Sequence, residues 1–227
     1  MPRPRLAVLH TVALLAERFK TRIADRFPDL DSFHMLDESL LQDLMRDGPS
    51  AGIVARVVGH AQLAERAGAT GLLFTCSSTS PAVDVARRVV SIPIVKIDDA
   101  MAAKAVTLGN RIGVICTTTS TQGPSRDLLL DHAKGARRKI EVETRLCDSA
   151  YHALIGGDRD THDRIVTQAA RDLAPHVDTV VLAQASIAHL RETLDGELAV
   201  PVLASPDLCI QTLDSQLDLT GANHNPG

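Results

Sequence analysis

Hydrophobic positions along the chain fall into short apolar runs separated by longer stretches with helical spacing. Runs rich in β-branched and aliphatic residues at 6–10, 32–36, 71–75 and 92–95 predict strands. The intervening stretches at about 12–27, 39–67 and 81–90 predict helices, the long one broken near Gly48-Pro49. The second half follows the same plan, with strands near 111–116, 139–146, 179–183 and 200–203 and helices near 124–134, 158–175 and 186–195. A last helical stretch at 206–217 precedes a polar tail at 220–227, expected to fray. Short apolar strands alternating with amphipathic helices predict an α/β fold of parallel sheets covered on both faces.

The pattern repeats at the level of residues. Residues 72–101 align without a gap on 180–209, which puts Cys76 on Gln184, Ser78 on Ser186 and Pro93 on Pro201. Residues 5–11 align on 111–117 and set His10 opposite Cys116, with 66 residues from His10 to Cys76 and 68 from Cys116 to Gln184. A repeat of this length predicts two pseudo-symmetric doubly wound domains, each with a four-stranded parallel sheet, and an active site in the cleft between them. The expected domains are 1–98 with 206–227, and 99–205.

Composition narrows the function. A chain of 227 residues that is 44% hydrophobic and 23% charged has ample material for buried cores. A formal net charge of −4 without clustered basic runs argues against a nucleic-acid surface, and 2% aromatic residues leave little for base stacking. The absence of a long apolar span predicts no membrane segment, and the charged N-terminal stretch does not resemble a secretory signal, so a cytoplasmic protein is expected. The four cysteines lack paired spacing and are expected as reduced thiols. The nine histidines form no tight ligand pattern, so no metal is expected; Asp158 to His162 has metal-like composition but is expected to open a helix. No phosphate-loop or dinucleotide fingerprint is present, and no cofactor is expected.

Ligands of open parallel sheets bind beyond the carboxyl ends of the strands. Four such ends are singled out by the repeat: His10-Thr11, Cys76-Ser77-Ser78-Thr79, Cys116-Thr117-Thr118-Thr119 and Gln184-Ala185-Ser186. Ser80 is expected to cap the helix after Cys76, with Pro81 as its first residue, and Gly123-Pro124 to mark the matching start in the second half. The hydroxyl-rich segments form anion nests suited to a small carboxylate or dicarboxylate. Cys76 at a helix N-terminus is expected to have a thiol pKa lowered toward neutrality, fit for proton transfer or nucleophilic attack. A small buried hydrophobe is an equally open reading of Cys76, and a hydrogen-bonded structural role is open for His10.

The segments FTCSSTSPAVD, IPIVKIDDAM and RIGVICTTTST, together with the repeat, resemble the aspartate/glutamate racemase superfamily, which includes hydantoin racemase, maleate isomerase and arylmalonate decarboxylase. The resemblance covers nearly the whole chain. It implies a cofactor-independent enzyme, a homo-oligomer, and paired cysteines that move a proton beside a carboxylate. Cys76 matches the first of these cysteines, whereas the place of the second is held by Gln184, which cannot carry a proton at neutral pH. Catalysis is therefore assigned to Cys76, His10 and Gln184. Substrate binding is assigned to Thr11, Ser77, Ser78, Thr79, Cys116, Thr117, Thr118, Thr119, Ala185 and Ser186. Racemase or isomerase chemistry is the leading expectation. A one-cysteine decarboxylase or lyase, or a carboxylate-binding protein without turnover, are the alternatives.

Overall fold

A computed structural model describes residues 4–217, so the polar tail at 220–227 lies outside the described residues. The chain forms two compact units. One runs to Ile97 and takes back the chain from Cys209 onward; the other is Asp98–Leu208. The return thus comes inside the last helix, at Cys209, rather than at 206.

The first unit carries β1 (Arg5–His10), α1 (Ala13–Arg26), β2 (Asp31–Leu36), α2 (Glu38–Asp47), α3 (Ala51–Arg66), β3 (Gly71–Phe74), α4 (Ser80–Ala86) and β4 (Ile94–Lys96). Its sheet has the order β2-β1-β3-β4 with every pairing parallel. The second unit carries α5 (Asp99–Leu108), β5 (Arg111–Cys116), α6 (Thr119–Gly135), β6 (Glu141–Leu146), α7 (Asp148–Ile155), α8 (Arg159–Leu173), β7 (Thr179–Leu182), α9 (Arg191–Glu197) and β8 (Val202–Ala204). Its sheet has the order β6-β5-β7-β8, again parallel. The final helix, α10, spans Ser205–Leu217.

The repeat extends to single hydrogen bonds. Leu9 pairs with Phe74 as Ile115 pairs with Leu182, and Leu72 pairs with Ile94 as Val180 pairs with Val202. The amide of Asp37 donates to the His10 carbonyl at 2.9 Å, and that of Cys147 to the Cys116 carbonyl at 2.8 Å. In both sheets the central strands and the outer strands β4 and β8 are buried nearly throughout, whereas the outer strands β2 and β6 are partly exposed.

Local chemistry explains the element boundaries. Asp37 caps α2 through the Leu40 amide, Gly48 leaves the helix at φ 76°, and Ser50 caps α3 through the Ile53 amide, so the break near Gly48-Pro49 falls where expected. Asp158 caps α8 by accepting from the Thr161 amide at 3.0 Å. Gly113 lets α8 lie against β5: a Cβ there would stand 2.6 Å from Leu173 Cδ2. Below this contact Ile115, Val166, Ala170, Leu173, Val180 and Leu182 form the core, each large aliphatic side chain stabilising by about 1.5–3 kcal/mol.

The structure corrects four expectations. Helices α5 and α7 occur where none was predicted; α5 buries Ala100, Met101, Ala102, Ala105 and Val106 on one face, but its exposed face carries Ala103 and Leu108 beside Lys104 and Thr107, so the two faces differ little in polarity. Helix α6 begins at Thr119, five residues before Pro124, which the helix accommodates in its second turn at the loss of one backbone bond. The segment 186–195 divides into a 3-10 turn, Ala188–Leu190, and α9. Ser80 is not a cap: a 3-10 turn at Ser77–Thr79 runs directly into α4, and Ser80 is already helical at φ −47°, ψ −44°.

Candidate active site

In a sheet ordered β2-β1-β3-β4, the chain leaves β1 to one side and later crosses to the other, so the crevice opens between the carboxyl ends of β1 and β3. His10 and Thr11 stand at the first end and Cys76 to Thr79 just past the second. All six are buried. In the second unit the same topology brings Cys116 to Thr119, at the end of β5, beside Gln184 to Ser186, past β7. Cys116, Thr117 and Thr118 are buried there, Thr119 is exposed, and Gln184, Ala185 and Ser186 are partly exposed.

Cys76 has a buried side chain, and burial pushes its thiol above the ordinary value. Hydrogen bonds from the Thr11 side chain and from the backbone of Thr79 and Ser78 oppose that rise without overcoming it, while the Thr79 hydroxyl donates to the Cys76 carbonyl at 2.9 Å. The expectation of a thiol lowered toward neutrality is therefore corrected. One 3-10 turn brings donors to the sulfur, but the surroundings are too dry for them to win. At neutral pH the group is a thiol poised to give up a proton into a set of donors that would hold the thiolate.

His10 is fully buried, and both its ring nitrogens are engaged. The Thr75 hydroxyl donates to the Leu9 carbonyl at 3.1 Å and lies 2.9 Å from His10 Nδ1. Because Thr75 has only one hydroxyl proton, His10 Nδ1 is the donor of that pair. His10 Nε2 then accepts from His34 Nδ1 at 2.9 Å. Burial, followed by the neighbouring His34, lowers the His10 pKa to about 4, so the ring is neutral near pH 7. His34 escaped the sequence reading because only the β1–β2 register, which pairs Val8 with His34, brings it beside His10.

In the second unit Gln184 turns inward onto the neighbouring segment. Its Oε1 accepts from the Thr117 amide and, at 3.0 Å, from the Thr117 hydroxyl, while its Nε2 donates to Thr118 Oγ1 at 3.3 Å. Thr118 Oγ1 also lies 3.0 Å from Thr121 Oγ1. The nest expected at Thr117 to Thr119 is thus corrected in one respect: the Thr117 donors are already taken by a neutral carboxamide oxygen. Cys116 is fully buried, its thiol 3.7 Å from the Arg145 carbonyl, and burial followed by the nearby Cys147 pushes it up to about 12.

A second histidine group lies just past Ser186: His189, which the sequence did not single out, contacts the Ser186 carbonyl and Asp163, and His162, noted there only for the metal-like composition of its segment, contacts Asp163. A broad depression of about 790 Å3 in the same unit is lined by Asn110, Arg111, Lys134, Arg138, Lys139 and Glu141. It lies at the amino ends of β5 and β6 and holds none of the candidate residues. Among the described residues no group of three His, Cys, Asp or Glu side chains is placed to hold a metal ion, and no helix is long and apolar enough to cross a membrane.

Residues 10–213 match the family model described as Asp/Glu/Hydantoin racemase. Comparison with the curated proteins found no match. Among solved structures, the chain is similar to glutamate racemase isoform RacE1 from Bacillus anthracis, with a TM-score of 0.73 and 18% identity over 97% of this chain and 83% of that one. It is similar to allantoin racemase from Klebsiella pneumoniae, with a TM-score of 0.68 and 16% identity over 96% of this chain and 89% of that one. It also resembles a glycine-to-cysteine mutant of arylmalonate decarboxylase in its sulfate-associated form, with a TM-score of 0.59 and 15% identity over 99% of this chain and 97% of that one. At these identities the structural likeness speaks to the fold.

Proposed function

From the premise that the chain belongs to the Asp/Glu/hydantoin racemase family, we propose that it is a cofactor-independent enzyme that transfers a proton at the carbon next to the carboxylate of a small acid, with Cys76 as the proton carrier. The observation that carries this reading is the state of Cys76: a buried thiol held protonated, with Thr11, Ser78 and Thr79 donors directed at the sulfur. Proton transfer from sulfur to carbon leaves a thiolate, and those donors stabilise the charge as it forms. The buried Ser77 hydroxyl belongs to the same turn and suits a substrate carboxylate. The His10–Thr75 bond ties the ends of β1 and β3 together, which makes His10 a positioning residue.

Gln184, where the resemblance implies a second cysteine, makes the chemistry one-sided. The other candidates do not replace that cysteine: the Cys116 thiol is pushed up to about 12, and the neutral His10 ring has both nitrogens bonded. One protonated group favours a lyase or decarboxylase over symmetric racemisation. In that reaction a carbon–carbon bond breaks and carbon dioxide leaves. The electron pair spreads onto the retained carboxylate as an enediolate, the Cys76 proton goes to carbon, and water reprotonates the thiolate.

The test is incubation of small mono- and dicarboxylates in deuterated water, followed by proton NMR for exchange and by assay of released carbon dioxide. Deuterium entering with one configuration, and lost in Cys76→Ala, is the expected result. Turnover that survives Cys76→Ala overturns the assignment.

A further inference from the structure

His189 is held at both ring nitrogens by groups that only accept. Its Nδ1 lies 3.1 Å from the Ser186 carbonyl, and its Nε2 lies 2.9 and 3.0 Å from the two Asp163 oxygens. A carbonyl oxygen has no proton to give, so Nδ1 must carry one. Burial alone would raise the Asp163 carboxyl, but the hydrogen bonds from His189 and His162 hold it below its ordinary value, so Asp163 is ionised and Nε2 must carry a proton as well. Both bonds coexist only if His189 is an imidazolium.

His162 does not share this charge. Its Nδ1 donates to Asp163 Oδ1 at 2.6 Å, and its Nε2 is buried without a hydrogen-bond partner. A second ring proton would place an unsatisfied donor in that buried position on a charged ring, which is costly. His162 is therefore neutral, and the positive charge facing Asp163 sits on His189. These two residues of α8 face His189 across the turn, the His162 ring lying nearly parallel at 6.3 Å. On the same segment as His189, Arg191 is drawn instead to Glu192 at 3.4 Å and Asp195 at 3.7 Å.

We propose that His189 is a positioning residue for the Gln184–Ser186 turn, tying the Ser186 carbonyl to Asp163 on α8 as long as the ring is doubly protonated. The same turn is closed by the Ile187 amide on the Gln184 carbonyl at 3.2 Å. Loss of one ring proton leaves a neutral imidazole that keeps one bond, and the pairing with the Asp163 carboxylate is the stronger of the two. The Ser186 carbonyl is then released, and the turn loosens. The consequence for turnover rests on the proposed function, in which this turn serves the reaction; the clamp itself does not.

The experiment is NMR of the full chain labelled with 15N, with the His189 ring signals assigned by their loss in His189→Asn. At pH 5.5 both His189 nitrogens are expected at imidazolium positions, and the Ala185, Ser186 and Ile187 amides are expected to titrate with the ring. In Asp163→Asn these amides should no longer follow it. A singly protonated His189 at pH 5.5, or amides that stay fixed while the ring titrates, overturns the proposal. Once a substrate is found, the native enzyme should lose turnover with the same midpoint as pH rises, and His189→Lys, which keeps a cation, should weaken that dependence. If the amides follow the ring and turnover ignores it, the clamp stands and the assignment of this turn to the reaction falls.

Discussion

His10 Nδ1 donates to Thr75 Oγ1 across 2.9 Å, because the Thr75 hydroxyl spends its own proton on the Leu9 carbonyl. This one pair sets the protonation of the β1 end and leads to a stability prediction. In the unfolded chain His10 takes up a proton near pH 6.5, whereas in the folded protein it resists until about pH 4. Between those values the unfolded state binds more protons, so stability falls as pH falls, by up to about 3 kcal/mol from this residue. His34 is shifted in the same direction by burial, then by Lys20, and adds to the effect. Urea unfolding at pH 7 and pH 4.5 should show the midpoint dropping, with a smaller drop in His10→Asn. An identical pH response in the two proteins would refute the neutral, buried His10.

The Cys76 thiol, raised by burial, should alkylate slowly with iodoacetamide at pH 7 and faster as pH rises above its ordinary value of 9.0. As a proton donor it should support turnover on a plateau through neutral pH, with loss on the alkaline side as the thiol ionises. Were it a base instead, activity would climb with pH over the same range. A pH–rate profile separates the two directly.

Cys76→Ala should remove nearly all activity while costing on the order of 1 kcal/mol in stability, since it leaves a void of roughly methyl size. Cys76→Ser should be nearly as inactive, because a hydroxyl is a far weaker acid than a thiol. The readouts are turnover and the thermal unfolding midpoint, measured on the same preparations. A variant that is both inactive and unfolded would leave the chemistry to be read from the stereochemistry of deuterium incorporation in the native protein.

Gln184→Ala should leave the Thr117 amide and hydroxyl without their acceptor, at a cost of about 2 kcal/mol in stability. Thr117 is 2% exposed, so water is a poor substitute. The place once held by the carboxamide oxygen should then take an oxyanion. Sulfate or a small dicarboxylate should raise the unfolding temperature of Gln184→Ala clearly more than that of the native protein. Equal shifts in both proteins would show that Gln184 does not fill an anion position.

The sequence by itself determined whatever depends on local order along the chain. Strand runs, the Gly48-Pro49 break, the two sheets and the match of Cys76 to Gln184 follow from periodicity and repetition, which need no knowledge of neighbours in space. The family could be named from those segments for the same reason. Helix α5 was hidden because its exposed face carries Ala103 and Leu108 as well as Lys104 and Thr107, so apolar residues lie on both faces and show no clear period. The site's chemistry was decided by tertiary structure. Cys76 looked like a thiol activated by a helix start, but its protonation follows the desolvation set by everything packed around it. His34 reaches His10 only through strand register, and Gln184 reaches Thr117 only because β5 and β7 are neighbours in the sheet. His189 meets Asp163, 26 residues away along the chain, at 2.9 Å in space. Hydrogen-bond partners and dielectric surroundings belong to the folded arrangement, and a linear pattern does not encode them one residue at a time.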